Sequence, residues 1–333
     1  MSSNEIAETE GNMNNLFDEY ANMMAEDSEI PIVDAPTTVE EAKESGKVFD
    51  NTIIIKDDLD NKVTIPGGFG IAKDSGTKVE EGIVIEDEIG NQFVWIPVRT
   101  YKTTEEEKVN NLARRAWDTS GPIELDGDEA LGTYVVGEGY NSSTVAYDTI
   151  EAFKSSANNN GGYYIGRYEA GTEAERIAST ALTVPLVQKS KIAYVYVTRN
   201  QAKTQSEAMY NGNEYVKSEL ASSYAWDTAL NFICQNSEYG YTLAFTVNSS
   251  LGNINTGIKS LTGTYEADKY SNIYDFLGNC REWTTECYTI YTTPCIIRGG
   301  WYSNGNYSTS PRNGRPLDDS NIYSSFRIQL YIK

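Results

Sequence analysis

The side chains best suited to chemistry lie in the segment 298–327, where Arg298-Gly299-Gly300 and Ser325-Phe326-Arg327 enclose a polar interior. Positions 301–325 hold six Ser, four Asn, three Tyr and two Asp, and no Lys. Tyr supplies a large contact area at low entropy cost, while Ser and Asn supply adaptable hydrogen bonds. This composition favours non-covalent recognition, and a plain polar surface loop is the alternative.

Residue types needed for most hydrolytic chemistry are missing. The chain has no His, so it lacks the usual base near neutral pH, Ser-His or Cys-His nucleophile pairs and the commonest zinc ligand. Its four cysteines, Cys234, Cys280, Cys287 and Cys295, form no CxxC motif, which disfavours zinc and thioredoxin-like sites. The last three could lie near one another, although we expect them to be buried small hydrophobes.

Charge and hydropathy exclude further classes. A formal net charge of −21 argues against binding to nucleic acid, whose phosphates require Lys and Arg. No apolar run approaches the ~18 residues of a membrane span. The N-terminus has no apolar stretch typical of a secretory signal.

Residues 1–50 differ from the rest of the chain, with 13 acidic and 2 basic residues. One face of a short helix is predicted by the spacing of Leu16, Phe17, Tyr20, Met23 and Met24. That face could support self-association or docking to a particle. The remainder of this region is typical of a solvated linker.

Residues 51–100 contain an internal repeat, in which Ile53–Asp57 matches 83–87 and Asn61 matches Asn91. Each copy consists of a β-branched run, an acidic turn and a second apolar run, which predicts a tandem β-hairpin. Asp57, Asp58 and Asp60 resemble a calcium loop, but no bidentate Glu follows, so we expect turn residues.

Residues 101–333 form the main domain in this interpretation. Helices are predicted at about 199–210 and 217–235, and strands between 161 and 197, including a β run at 192–197. The stretch 236–333 is rich in Gly, Asn, Ser and Tyr, which predicts long loops on a small β scaffold.

Six motifs carry a family resemblance: FVWIP at 93–97, GYYIGRYE at 162–169, AWD at 225–227, YDFLGNCREWT at 274–284, RGG at 298–300 and SFR at 325–327. In order and spacing they resemble the formylglycine-generating-enzyme (sulfatase-modifying factor) family, from about residue 93 onward. The resemblance implies an α+β, C-type-lectin-like domain with two helices, short strands and long loops, preceded here by the small β-hairpin region.

The same resemblance implies a lost active site. The family's copper-binding cysteine pair would fall at Asn304 and Thr309, neither of which supplies a thiolate for Cu(I). Cys287 and Cys295 precede the RGG motif instead of following it. We therefore expect no oxidase activity and no required cofactor.

A retained scaffold with a Ser/Asn/Tyr-rich replacement resembles the variable proteins of diversity-generating retroelements, which use the same fold in phage tropism determinants and bacterial surface proteins. This implies a non-catalytic ligand- or receptor-binding protein with a variable region at about 298–330. The implied contact residues are Tyr302, Ser303, Asn304, Asn306, Tyr307, Ser308, Asn313, Asp318, Asp319, Ser320, Asn321 and Tyr323.

The expected partner is a cell-surface protein or glycan, and Asp318 with Asp319 slightly favours a polar or cationic one. The expected location is a virion (a phage tail) or a cell surface, with the cytoplasm as the alternative. A formylglycine-generating-type oxidoreductase and a structural or assembly protein of a virion are the alternative functions.

Supporting roles follow for residues around the segment. Arg298 and Arg327 are expected to tie its two ends through carboxylates such as Glu282 or Glu286, and Trp283 and Trp301 to pack beneath it. The family resemblance also implies a calcium site at Gly278, Cys280 and Glu282. The alternative is that Glu282 pairs with an Arg.

Overall fold

Short elements dominate the computed structural model, which describes residues 35–118, 120–129, 150–288, 293–303 and 307–333. The α-helices in these ranges are α1 (Val39–Ser45), α2 (Glu151–Asn160), α3 (Arg199–Met209) and α4 (Ser223–Gln235). The strands are β1 (Ile53–Lys56), β2 (Lys62–Ile65), β3 (Phe69–Ile71), β4 (Val84–Asp87), β5 (Gln92–Pro97), β6 (Arg99–Lys102), β7 (Glu107–Asn110), β8 (Arg115–Asp118), β9 (Gly121–Glu124), β10 (Gly162–Gly166), β11 (Gly171–Thr172), β12 (Ile192–Ala193), β13 (Val216–Leu220), β14 (Lys269–Tyr270), β15 (Ile273–Tyr274), β16 (Arg281–Cys287), β17 (Cys295–Arg298), β18 (Asn313–Arg315), β19 (Ser324–Phe326) and β20 (Ile328–Ile332). The predicted α+β class is confirmed.

A six-stranded antiparallel sheet forms the centre, in the order β13-β20-β10-β5-β4-β3. Helix α2 packs against β10 and β20, α3 against β13, and α4 against β5. All five residues of β10 and of β20 are buried, as expected for strands covered on both faces. Trp95 and Tyr164 pack edge to face in this core, at 5.1 Å between ring centroids.

The internal repeat folds as two hairpins with the same turn, as predicted. In the first, Asp57 Oδ1 accepts from the backbone N–H of Asn61 at 2.7 Å and Oδ2 from its side-chain amide at 2.8 Å. In the second, Asp87 makes the same two bonds to Asn91, at 2.8 and 2.9 Å. Asp57 and Asp87 are therefore turn residues, because their carboxylates accept local N–H groups.

The hairpins do not form a region separate from the main body. β4 and β5 supply two strands of the central sheet, where β5 pairs with β10 through Tyr164 opposite Trp95. Residues Thr37–Lys333 form one compact unit. The boundary predicted at residue 100 therefore falls inside a packed unit.

Part of the predicted linker is helical. Helix α1 begins with a capping box, in which Thr38 accepts from the backbone N–H of Glu41 and the Glu41 carboxylate accepts in return. Val39 and Ala42 are fully buried. The helix face predicted at 16–24 lies outside the described residues.

The two predicted helices are present, with one correction. Helix α3 matches the prediction for 199–210, but 217–235 divides into strand β13 and helix α4, whose N-cap is Ser222. β13 is a strand because all five of its residues pair with β20. The run at 192–197 is a strand only at Ile192–Ala193, since Tyr196 has φ of 53°.

A second sheet presents the polar segment, in the order β18-β17-β16-β19. β17 leads into the segment at Arg298, β18 lies in its middle and β19 lies at its end. β16 starts at Arg281, within the YDFLGNCREWT motif. Strand β19 runs parallel to β16, with Glu282 opposite Ser325. In the part of the chain that the structure describes, no helix is long and apolar enough to cross a membrane.

Candidate functional site

Both ends of the polar segment are fixed by buried ion pairs. Arg327 donates from Nε to Glu282 Oε1 at 2.8 Å, as predicted, and both side chains are almost fully buried. Arg298 pairs with Asp227 on helix α4, not with Glu282 or Glu286. Burial alone would raise the pKa of Asp227, but the charges of Arg298 and Arg312 hold it below its ordinary value.

A third anchor, Arg312, lies inside the segment and was missed by the sequence analysis. Its Nη2 lies 2.5 Å from Asp227 Oδ2, and its Nε donates to Glu286 Oε2 at 2.7 Å. Glu286 also pairs with Arg114 at 2.6 Å. The polar interior is therefore held at both ends and in the middle by arginines bound to carboxylates of the scaffold.

Gly299 and Gly300 both occupy positions that require glycine. Gly299 has φ of 83°, a conformation that favours glycine. A Cβ on Gly300 would lie 2.6 Å from the backbone oxygen of Leu277. The chain can thus turn sharply out of β17 while lying close to the YDFLGN loop.

Four aromatic residues of the segment and one arginine form what we call the aromatic cluster: Arg281, Trp301, Tyr302, Tyr307 and Tyr323. Trp301 packs edge to face against Tyr323 at 4.3 Å and Tyr307 at 6.1 Å between centroids. Tyr302 lies 5.7 Å from Tyr323. Tyr307 is 36% exposed and Tyr302 only 8%, so the cluster runs from the core to the surface.

Arg281 is the centre of this cluster, and the sequence analysis gave it no role. Its guanidinium carbon lies 4.1 Å from the Trp301 ring centroid and 4.2 Å from that of Tyr307. Burial, followed by the charge of Arg315, lowers the pKa of Arg281 to about 10, so it stays charged at neutral pH. Among the described residues, neither Arg281 Nε nor Trp301 Nε1 has a hydrogen-bond partner, although both atoms are buried. The sequence features that could have indicated this cluster are the Trp that directly follows the RGG motif and the Arg inside the YDFLGNCREWT motif.

The remaining predicted contact residues differ in their exposure to solvent. Asp318 is exposed, and the residues that are half-buried are Ser303, Ser308, Asn313, Asp319, Ser320 and Asn321. Asn321 stabilises the local backbone, because its Oδ1 accepts a hydrogen bond from the backbone N–H of Tyr323 at 2.8 Å. Asn304 and Asn306 lie outside the described residues.

Trp283 and Trp301 differ in role. Trp283 is fully buried and donates to the backbone oxygen of Val197 at 2.9 Å, which fits the core position expected of it. Trp301 is half-buried and belongs to the aromatic cluster itself. Thr309, one of the two positions implied for copper ligands, is fully buried, and its backbone oxygen accepts from Gly299 N–H at 3.1 Å.

Glu282, the carboxylate implied for calcium, is paired with an arginine, which was the alternative expectation. Glu282 Oε1 binds the Arg327 guanidinium, and Oε2 accepts from the indole N–H of Trp226 at 2.9 Å. A cation beside Glu282 would meet the positive charge of Arg327. In the described ranges, no group of three or more His, Cys, Asp or Glu is arranged to hold a metal.

Comparison with known proteins gives structural likenesses at low identity. No protein-family model matches the chain, and no curated protein sequence matches it. CarF shares 13% identity at a TM-score of 0.38, covering 62% of this chain and 95% of CarF. PvdO from Pseudomonas aeruginosa shares 13% identity at a TM-score of 0.41, and the match covers 74% of this chain and 97% of PvdO. Treponema denticola variable protein 1 shares 11% identity at a TM-score of 0.36, and the match covers 72% of this chain and 95% of that protein.

Proposed function

We propose that this chain is a non-catalytic ligand-binding protein that displays the segment 298–330 on a C-type-lectin-like scaffold. The observation that carries the proposal is the contrast between anchors and interior. Arg298 and Arg327 are fully buried and paired, whereas Tyr307 and Asp318 are exposed between them. A segment held in this way can change its exposed side chains without losing its backbone path.

The proposed contact face is the aromatic cluster together with the polar residues around it. Buried aromatic and Arg residues surrounded by polar groups are typical of the energetic centre of protein interfaces. The guanidinium groups of Arg281 and Arg315 lie at this face, and Arg315 is 3.8 Å from Asp319. Together with the exposed Asp318, these charged groups favour a polar ligand.

A binding experiment tests the proposal with matched tyrosines. The purified chain would be applied to a glycan array and to intact bacterial cells, and any ligand found would be titrated with variants. We expect Tyr307→Ala and Tyr323→Ala to weaken binding by about 1–3 kcal/mol each. Tyr239→Ala is the control, because Tyr239 is 43% exposed but lies outside the segment. Equal affinity in all four proteins would remove this face from consideration.

Diversification of the segment belongs to the same proposal and has its own test. The locus would contain a near-copy of the coding sequence for 298–330 that differs mainly at adenines, next to a reverse transcriptase gene. An intact locus with neither feature would contradict diversification, while leaving ligand binding open to the titration above.

The alternative of a formylglycine-generating-type oxidoreductase is addressed by copper binding and by oxidation of a Cys-containing sulfatase peptide. We expect neither, because Asn304 and Thr309 occupy the positions implied for the copper-binding cysteines. Turnover of the peptide would overturn the non-catalytic assignment. A structural or assembly role in a virion would instead give a chain that binds other virion proteins and is unaffected by Tyr307→Ala.

A further inference from the structure

Two free cysteines face each other across neighbouring strands at the base of the polar segment. Cys287 at the end of β16 is paired in register with Cys295 at the start of β17. The next residues outward are joined by a hydrogen bond from Tyr288 N–H to the backbone oxygen of Pro294, at 2.8 Å.

This bond identifies the geometry of the cysteine pair. Directly opposed residues in an antiparallel ladder alternate between hydrogen-bonded and non-hydrogen-bonded pairs. Because the bond joins Tyr288 to Pro294, the cysteines one step inward occupy a non-hydrogen-bonded pair, whose Cα atoms lie about 4.5 Å apart. Disulfides span Cα separations of about 4.4–6.8 Å, so the two sulfurs can be joined without moving the strands.

The environment of the two thiols makes them unequal. The neighbouring Cys295 thiol, followed by the charge of Arg199, lowers the pKa of Cys287 to about 7 against the opposing effect of burial. The neighbouring Cys287 thiol and burial raise the pKa of Cys295. Burial raises the pKa of Cys234 to about 12 and that of Cys280 well above its ordinary value. Cys287 is therefore the thiol of the four best able to act as a nucleophile.

We propose that Cys287 and Cys295 are an oxidation site that forms an intramolecular disulfide on reaction with a small-molecule disulfide such as oxidised glutathione. The Cys287 thiolate attacks one sulfur of the oxidant, which forms a mixed disulfide and releases one glutathione thiolate. Cys295 then loses its proton and attacks the Cys287 sulfur, releasing the second glutathione. Two protein thiols are oxidised, and one glutathione disulfide is reduced to two thiols.

The bond would lie directly beside the proposed contact face. β17 pairs on its other edge with β18, where Arg315 is opposite Cys295. Oxidation would therefore covalently tie the strand on which the middle of the segment rests to β16, the strand that carries Arg281. A cross-link of this kind restricts the unfolded chain and raises the melting temperature.

Tryptic mapping separates the cysteines cleanly. Cleavage after Arg281 and Arg298 gives one peptide that contains both Cys287 and Cys295, because no Lys or Arg lies between these positions. Cys280 and Cys234 fall in two other peptides, which serve as internal controls.

The full chain would be incubated folded with oxidised glutathione, then denatured, alkylated, digested and weighed, with and without reduction before alkylation. We expect the peptide Glu282–Arg298 to lose about 2 Da and to resist alkylation until reduced, as joining two thiols requires. The Cys280 and Cys234 peptides should be alkylated throughout. Cys280→Ser should leave this result unchanged, and Cys287→Ser should abolish the loss of mass.

Other outcomes would overturn the proposal. Full alkylation of both cysteines in the folded chain would show that they do not join. A lasting glutathione adduct on Cys287 would show that Cys295 cannot reach it, and a bond to Cys280 or Cys234 would show different neighbours. These results do not depend on any ligand, so they are independent of the binding function.

Discussion

Replacing Asp227 by Asn should remove the carboxylate shared by two of the three arginines that anchor the polar segment. Asp227 is fully buried and receives Arg298, Arg312 and the backbone N–H of Arg115, the last at 2.9 Å. Asn keeps the size of the side chain but loses the charge, and its amide would place N–H groups against a guanidinium. Arg298 would then be a buried cation that has lost its directly paired carboxylate, with Glu286 as a more distant charge.

The magnitude follows from what each arginine retains. Arg312 keeps Glu286 at 2.7 Å, whereas the hydrogen bond that Arg298 keeps among the described residues is to the backbone oxygen of Ser310, at 3.0 Å, beside its position over Trp226. One uncompensated buried charge therefore dominates, and removing one partner of a buried pair costs about 3–5 kcal/mol. We expect a fall of that size in the free energy of unfolding, or about 6–20 °C in Tm.

Urea unfolding followed by circular dichroism would measure the change, provided that the slope with denaturant is unaltered. Asp319→Asn is the matched control within the same segment. Asp319 lies 3.8 Å from Arg315 with both side chains partly exposed, so its loss should cost less than about 1 kcal/mol. If Asp227→Asn were no more destabilising than Asp319→Asn, the buried pairs would not be what anchors the segment.

Three further predictions concern pH, a helix cap and the aromatic cluster. Burial, followed by the charge of Asp268, raises the pKa of Asp275 to about 7, so the folded state favours the protonated carboxyl. The stability that this residue contributes should therefore be lost as the pH rises from about 4 to about 7. In urea titrations over this range, the free energy of unfolding should fall less for Asp275→Asn than for the parent. Thr198→Ala removes the cap of α3 and should lower the free energy of unfolding by about 1 kcal/mol, again by urea titration; no change would contradict the cap. Arg281→Met keeps an unbranched side chain beside Trp301 but removes the positive charge. Ligand affinity should then fall about tenfold or more, while Tm stays near that of the parent. Unchanged affinity would mean that Arg281 contributes to packing and not to binding.

The sequence predicted the elements that local rules determine. The two hairpins of the repeat were predictable because each copy carries its own turn residues, Asp57 with Asn61 and Asp87 with Asn91. Helix α3 was predicted at about 199–210, and the structure shows that Thr198 caps its first turn. These features depend on neighbours a few positions apart along the chain.

Elements that depend on distant partners were not predictable. Residues 216–220 contain good helix formers, yet they form β13 because β20 lies beside them. Arg298 was expected to find Glu282 or Glu286, but in the fold Asp227 on α4 is nearer. Arg312 looked like any polar residue of its segment, and only the positions of Asp227 and Glu286 reveal it as an anchor.

The strand that follows the polar segment places a demand on synthesis of the chain. β20 begins one residue after Arg327 and lies between β10 and β13 in the central sheet. A polypeptide that stops anywhere within the segment lacks this strand, so β10 loses one neighbour and β13 loses its pairing partner. Translation must therefore pass through the whole contact face before the sheet can close. A premature stop codon there would leave the central sheet incomplete, so the fold itself requires an uninterrupted reading frame through the segment.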